Sequence, residues 1–335
     1  MIFGLFSRPA PPRFPDAADF GYIELRGATT RVVVVPALGG KIVEMELAGR
    51  QWLWKSHVVP YTVPTDGASF EETADSGGYD DCFPTIAPCR LPTWIKGFGG
   101  LELPDHGELW SQQPEVDLQA NGGGQSVQLT WTGRATPTRF QRTVRVTPQG
   151  VVEMSYAATN LGTERFPFIW SSHPVFPMGA TTRLHLPSDT RVRVGSQQGV
   201  DIAEYGSDMR WPDLRMDGRQ VDFTRPDAVA RRYAAKLFLD AREGWAALIE
   251  DDLWLKVEFD TRQVTNIGIW LNKDEVGPGK RGGKARVIGL EPCIGAPDAL
   301  SDALGSWNRA HWIDPGATVN WALRWSGKRV APDSD

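Results

Sequence analysis

Strict alternation of apolar and polar residues is the feature that most narrows what this chain can fold into. Val43, Met45 and Leu47 alternate with Glu44 and Glu46, and Val127, Leu129 and Trp131 with Gln128 and Thr130. Val152, Met154, Tyr156 and Ala158 alternate with polar or small residues. The same holds for Leu253, Leu255, Val257 and Phe259, and for Val319, Trp321, Leu323 and Trp325. Successive side chains on a strand point to opposite faces, so each segment reads as a strand with one buried and one wetter face. Ala48-Gly49-Arg50, Pro148-Gln149-Gly150, Asn160-Leu161-Gly162 and Asp251-Asp252 separate such segments and are short enough for hairpins, which implies antiparallel pairing. The best helical candidate is short, Pro297 to Leu304, with Gly305 at its end. The expected fold class is therefore all-β, a large antiparallel β-sandwich.

The 335 residues are 41% hydrophobic and 23% charged, enough to build a core and unlike a disordered chain. Strand patterns run without a low-complexity linker, so residues 22–326 are expected to form a single domain. Residues 1–21 read as an extended arm carrying Pro9, Pro11, Pro12 and Pro15, and residues 327–335 as a polar tail. Two polar, Gly- and Pro-rich stretches, Thr62 to His106 and Gly195 to Asp227, break the strand rhythm. Such insertions on a sandwich often line a cleft.

A net charge of −5 lacks the basic face that nucleic-acid binding needs. No run approaches the roughly 18 apolar residues of a membrane span, and Met1–Phe6 is shorter than a signal-peptide core. Three cysteines are too few and odd in number for a disulfide framework. A cytoplasmic monomer or homodimer is expected, with no nucleic-acid or membrane partner. The 14 tryptophans suit either core packing or stacking on the C–H face of a sugar.

Several chemistries can be set aside. No G-x-S-x-G elbow is present. Ser172 and His173 are adjacent, and neighbours on a strand face opposite ways. The Gly277–Lys284 segment fails the phosphate-loop pattern, with Pro278 in place of the first glycine and Ala285 in place of Ser or Thr. Cys82 and Cys89 have no CxxC partner, and the five histidines are scattered, so a zinc site is not expected. His106, His173 and Glu291 remain. Each lies at the end of an apolar run beside Gly or Pro, where a rigid scaffold can aim a side chain into a cleft.

At these segments the chain resembles the aldose 1-epimerase (galactose mutarotase-like) family, over about residues 22 to 326. Gly39-Gly40-Lys41-Ile42 with Trp52-Leu53-Trp54, then Gly77-Gly78-Tyr79-Asp80-Asp81-Cys82-Phe83-Pro84, look like the family's early segments. His106-Gly107, Ser172-His173-Pro174-Val175-Phe176 and Leu290-Glu291-Pro292 with Pro297-Asp298-Ala299 resemble its catalytic motifs, in order. Departures are the absence of His-x-His-Gly-Gly around His106, Ser172 where Asn is usual, and Val175 where Tyr is usual. The resemblance implies a β-supersandwich that interconverts α and β anomers of an aldose without cofactor or metal. It implies Glu291 as base, His173 as acid to the ring oxygen, and His106 as a hydrogen-bond partner or second acid. A carboxylate and an imidazole suit that exchange near neutral pH.

Asp80, Asp81, Trp110, Trp270 and Arg90 are candidate substrate-binding residues. A phosphosugar would need converging cations, for which Arg90, Lys96, Lys273, Lys280, Arg281 and Lys284 are available. Asp80, Asp81 and Asp105 would repel a dianion, which favours a neutral aldose over a hexose phosphate. The alternatives are a hexose-6-phosphate 1-epimerase and a carbohydrate-binding protein without catalysis on the same scaffold. A glycosidase would need a second facing carboxylate.

Overall fold

The computed structural model describes residues 14–65, 68–121, 124–279 and 284–329. Two antiparallel sheets make the body of the protein, an all-β sandwich. The larger runs from edge to edge through Ile23–Arg26, Arg31–Val35, Lys41–Leu47, Tyr79–Cys82, Trp170–Pro177, Arg286–Ile294, Asn266–Lys273, Tyr233–Asp240, Thr190–Gln198 and Asp208–Trp211. The second runs through Arg183–His185, Trp245–Glu250, Leu253–Phe259, Thr318–Arg329, Val152–Asn160, Thr138–Val146, Gly124–Thr132 and Glu115–Asn121.

The alternation in sequence is what lets the sheets face one another. Val152, Met154, Tyr156 and Ala158 are buried on the inner face, with their neighbours wetter. Ile42, Tyr79, Phe176, Ile288 and Leu290 answer them from the larger sheet. Aromatic rings fill the middle: Tyr156 stacks on Trp321 with centroids 5.5 Å apart, and Tyr79 meets Trp325 edge-on at 6.3 Å. The Tyr79 and Tyr156 hydroxyls share a hydrogen bond of 3.0 Å across the sheets.

One ion pair is buried in the sandwich. The Arg142 guanidinium, on the second sheet, donates to the Asp81 carboxylate at 2.7 Å, and the Trp170 indole N–H donates to the other oxygen at 3.1 Å. Arg142 also donates to the Gly40 carbonyl. Burial pushes the Asp81 carboxyl up to about 6 against the pull of Arg142. Asp81 thus belongs to the core and does not serve as a substrate contact.

Other expectations need correction. Three of the four expected hairpins form, but Asn160-Leu161-Gly162 leads elsewhere: the next strand, Phe166–Phe168, pairs with His311–Ile313 outside both large sheets. The short helix is Leu300–Leu304, one turn later than Pro297, because Ala299 is still extended. In the expected N-terminal arm, residues 1–13 lie outside the described residues, and Ala17–Asp19 form a 3-10 turn capped by Asp16. Ala17 and Phe20 pack on Val33, Val35 and Tyr61. The last strand continues to Arg329, which pairs with Leu253, so the tail starts later than residue 327. No helix of the described residues is long and apolar enough to cross a membrane.

Candidate active site

Parity along the strands of the larger sheet builds the site. Residues facing the second sheet are core; their neighbours face the other way, under loops. The pairing registers set Lys41 beside Asp80, Asp80 beside His173, His173 beside Glu291, and Glu291 beside Gly268. One row of polar side chains therefore crosses neighbouring strands on the outward face. Loops close over it, which explains why Arg286–Ile294 and Tyr233–Asp240 are buried on both faces.

The covered face holds a cavity of about 250 Å³, lined by His106, His173, Lys236, Trp270, Asp75 and Asp298, with Phe70 among its apolar walls. Ligand pockets for drug-sized molecules begin at about 300 Å³, so this one has room for a single small polar ring. His106 enters from the Asp105–Gly107 turn, where its own φ is +57° and that of Gly107 is +71°. A Cβ at Gly107 would lie 2.1 Å from the Phe83 carbonyl oxygen, so only glycine allows the turn to sit this close. The His106 ring stacks on Phe70 with centroids 3.7 Å apart and meets the His173 ring edge-on at 5.0 Å. Its Nδ1 is 2.9 Å from an Asp105 carboxylate oxygen.

Glu291 is fully buried beneath this cavity. Its Oε1 lies 4.0 Å from Nε2 of His173 and has no hydrogen-bond partner among the described residues. Its Oε2 accepts from the Ser171 hydroxyl at 3.2 Å and from the Lys236 ammonium. Two glycines make the space: a Cβ at Gly289 would lie 2.4 Å from Oε1, and one at Gly268 3.3 Å from Oε2. Burial pushes the Glu291 carboxyl up from its ordinary value, with Lys236 pulling it back and Asp298 adding to the rise. Burial, then the charges of His106, Lys236 and Lys41, hold the His173 imidazole well below its ordinary value. Burial pulls the Lys236 ammonium down, but the charges of Asp298 and Glu291 win and leave it raised. Asp75, which also lines the cavity, is pushed up to about 6 by burial.

The structure thus brings His106, His173 and Glu291 together and places Trp270 in the cavity wall. Asp80 lies next to His173 but is engaged by Lys41, whose ammonium also donates to the Ala74 and Gly77 carbonyls at 3.1 and 2.9 Å. Asp80 and Lys41 hold the loop that carries Asp75, and neither lines the cavity. Trp110 is buried against Phe70, and its indole N–H donates to the Asp105 carbonyl, so it buttresses the His106 turn and does not face a ligand. Arg90 is exposed and donates to the Gly100 carbonyl, away from the cavity. Of the other cations considered, Lys96 pairs with Glu164 at 2.8 Å and Lys273 donates to the Val229 carbonyl at 2.6 Å. Lys284 is exposed, and Lys280 and Arg281 lie outside the described residues. The insertion from Gly195 to Asp227 contributes no side chain to this cavity; part of it lines a separate groove around Met216 to Asp222. Among the described residues, no group of three or more His, Cys, Asp or Glu is gathered to hold a metal ion.

Sequence reasoning missed Lys236, Asp75, Phe70 and, as a cavity residue, Asp298. Lys236 had a signal: it is the one charged residue inside the apolar run Tyr233–Leu239.

No family model and no curated protein matches the chain. Solved structures do. The Slr1438 protein from Synechocystis is 17% identical with a TM-score of 0.65, over 98% of this chain and 100% of its own. The chain has the galactose mutarotase-like fold. A galactose mutarotase related enzyme from Lactobacillus acidophilus matches over 94% of this chain and 100% of its own, at 16% identity and TM-score 0.61. A galactose mutarotase-like protein from Lactobacillus casei matches over 92% and 100%, also at 16% and 0.61. At these identities the likeness speaks for the fold alone.

Proposed function

We propose that this protein is an aldose 1-epimerase whose catalytic pair is Glu291 and His173. The observation that carries the reading is the buried Glu291 Oε1, without a hydrogen-bond partner among the described residues and 4.0 Å from the His173 imidazole, under a cavity the size of one sugar ring. A buried carboxylate oxygen left unpaired is costly unless a ligand donates to it.

In the ring-opening half of the reaction, Glu291 takes the proton of the C1 hydroxyl. The O1 electron pair forms the C1 carbonyl, the bond from C1 to the ring oxygen breaks, and His173 protonates that oxygen. Rotation about C1–C2 presents the other carbonyl face, and the same transfers in reverse close the ring as the other anomer. Each group must both give and take a proton. The two shifts support this, because a raised carboxyl and a lowered imidazole bring the two proton affinities toward each other. His106, fixed by Phe70 and Asp105, serves as a hydrogen-bond partner for the sugar, and Trp270 as an apolar wall for its C–H face.

The substrate is a neutral aldose. Glu71, Asp75, Asp105 and Asp298 line the cavity, and its lysine, Lys236, is already bound to carboxylates. Carboxylates accept from sugar hydroxyls and repel a phosphate dianion. Polarimetry on freshly dissolved single anomers of glucose, galactose, xylose and glucose 6-phosphate tests the reading. Faster equilibration of a neutral aldose than in buffer supports it. Binding without acceleration would favour a non-catalytic sugar-binding protein, and a tenfold preference for the phosphate would overturn the substrate class.

A further inference from the structure

Lys236 is a lysine where the sheet has no structural need of one. It sits in the middle of an apolar strand, directly across from Trp270, with its side chain only 4% exposed. Burying an ammonium is expensive, and here two carboxylates offset the cost. Nζ donates to Glu291 Oε2, and Asp298 Oδ1 lies 3.5 Å away. The second contact is an ion pair without hydrogen-bond geometry: Asp298 Oδ1 is buried and has no hydrogen-bond partner among the described residues. An ammonium has three N–H groups, and Glu291 is the acceptor that engages one of them among the described residues. Lys236 and Asp298 both line the cavity. The two residues therefore bring unused donors on Lys236 and an unused acceptor on Asp298 to the cavity wall, and Glu291, buried just beneath, keeps a further unused acceptor.

A sugar hydroxyl both donates and accepts, so one placed between Lys236 and Asp298 would satisfy both. We infer that Lys236 is a catalytic residue of this site: it holds Glu291 as a carboxylate and donates a hydrogen bond to a substrate oxygen, with Asp298 accepting from the same hydroxyl. This rests on the epimerase reading for the identity of the reaction. The groups that face Glu291 are His173 and Ser171 on the adjacent strand, Lys236 two strands away on the other side, Asp298 beyond Lys236, and the thiols of Cys82 and Cys293. Of these, Lys236 is the cation in direct contact. Its ammonium is also the cavity group whose positive charge is best secured, since Asp298 and Glu291 raise its proton affinity while burial lowers that of His173. Charge developing on a sugar oxygen as the ring opens would meet a fixed donor there.

Two measurements test the inference, one of them without turnover. In protein carrying 13C-labelled glutamate carboxyls, the Glu291 signal, assigned by its loss in Glu291→Gln, is titrated in wild type and in Lys236→Met. The expected result is an upward shift of about one pH unit or more in the variant, because the neighbouring cation is gone. In the anomer-exchange assay Lys236→Met should lose about 10²-fold in kcat, the usual cost of one aimed donor, and Asp298→Asn should raise KM. Lys236→Arg keeps the charge but not the geometry, so it should leave the carboxyl titration near that of wild type and still lower kcat about tenfold. If Lys236→Met fails to fold by circular dichroism, the arginine variant carries the test alone. An unmoved Glu291 titration in Lys236→Met, or kcat and KM within about twofold of wild type in both lysine variants, overturns the inference. If wild type accelerates no aldose, the epimerase reading falls, and the carboxyl titration still decides whether Lys236 holds Glu291 charged.

Discussion

His173 and Glu291 stand side by side on adjacent antiparallel strands, with Nε2 of one 4.0 Å from Oε1 of the other. The register that pairs Ser171 with Cys293 and Val175 with Gly289 fixes this relationship, so backbone hydrogen bonds on both sides of the pair hold its geometry. Loops carrying Phe70 and His106 then remove it from bulk water, and that burial shifts both proton affinities.

The pH profile should show the two shifts directly. The Glu291 carboxyl is raised from 4.5, so activity that needs the carboxylate is lost as pH falls through a value above 4.5. The His173 imidazole is lowered from 6.5, so activity that needs the imidazolium is lost as pH rises through a value below 6.5. Because kcat/KM reports groups of the free enzyme, its profile should be a narrow bell peaking on the acid side of neutrality. A flat profile from pH 6 to 8 would contradict the assignment of His173 as the acid.

Gly289 gives a test of the space around the base. A methyl group there would meet Glu291 Oε1 at 2.4 Å and the Trp270 Cβ at 3.0 Å. Gly289→Ala should displace the carboxylate and lower kcat by about 10²-fold, the scale of a 1 Å misplacement. The strand itself should survive, with a Tm within a few degrees of wild type. Unchanged kinetics would show that the carboxylate position is not critical.

Trp270 separates stacking from packing. Trp270→Ala should raise KM several-fold, in keeping with about 0.5–1.5 kcal/mol for an aromatic contact, while kcat changes little. A lower Tm with unchanged kinetics would make it a packing residue only.

The Asp81–Arg142 pair predicts a stability effect separate from function. Asp81→Ala leaves the Arg142 guanidinium buried without its carboxylate and should cost about 3–5 kcal/mol in urea unfolding. The double variant Asp81→Leu with Arg142→Met should recover much of that loss, since replacing both partners by apolar groups is often near neutral. A single variant that costs under about 1 kcal/mol would show that water reaches the pair.

Much of the sandwich was legible in sequence because one face of Val152–Asn160 or Leu253–Phe259 stays wet. The pattern fades in Tyr233–Asp240 and Arg286–Ile294, where loops bury the second face and apolar residues occupy both. The site was legible where an ionisable residue in an apolar run had Gly or Pro beside it, as at His173 and Glu291, although the structure places both within strands and not at strand ends. Lys236 interrupts an apolar run too, but it has neither Gly nor Pro beside it, and only the third dimension brings it to Glu291. Asp80 and Asp81 show the limit of reading adjacent residues as one motif. Neighbours on a strand face opposite ways, so Asp80 lies on the site face and Asp81 reaches Arg142 inside the sandwich.

The most direct measurement is anomer exchange followed by NMR at equilibrium, with galactose and glucose as substrates, in wild type, Glu291→Gln and His173→Ala. The account predicts magnetisation transfer between the α and β C1 protons in wild type, and a loss of about 10²–10⁴-fold in each variant, with both variants folded. Wild-type exchange no faster than buffer, or a loss of only twofold in both variants, would contradict it.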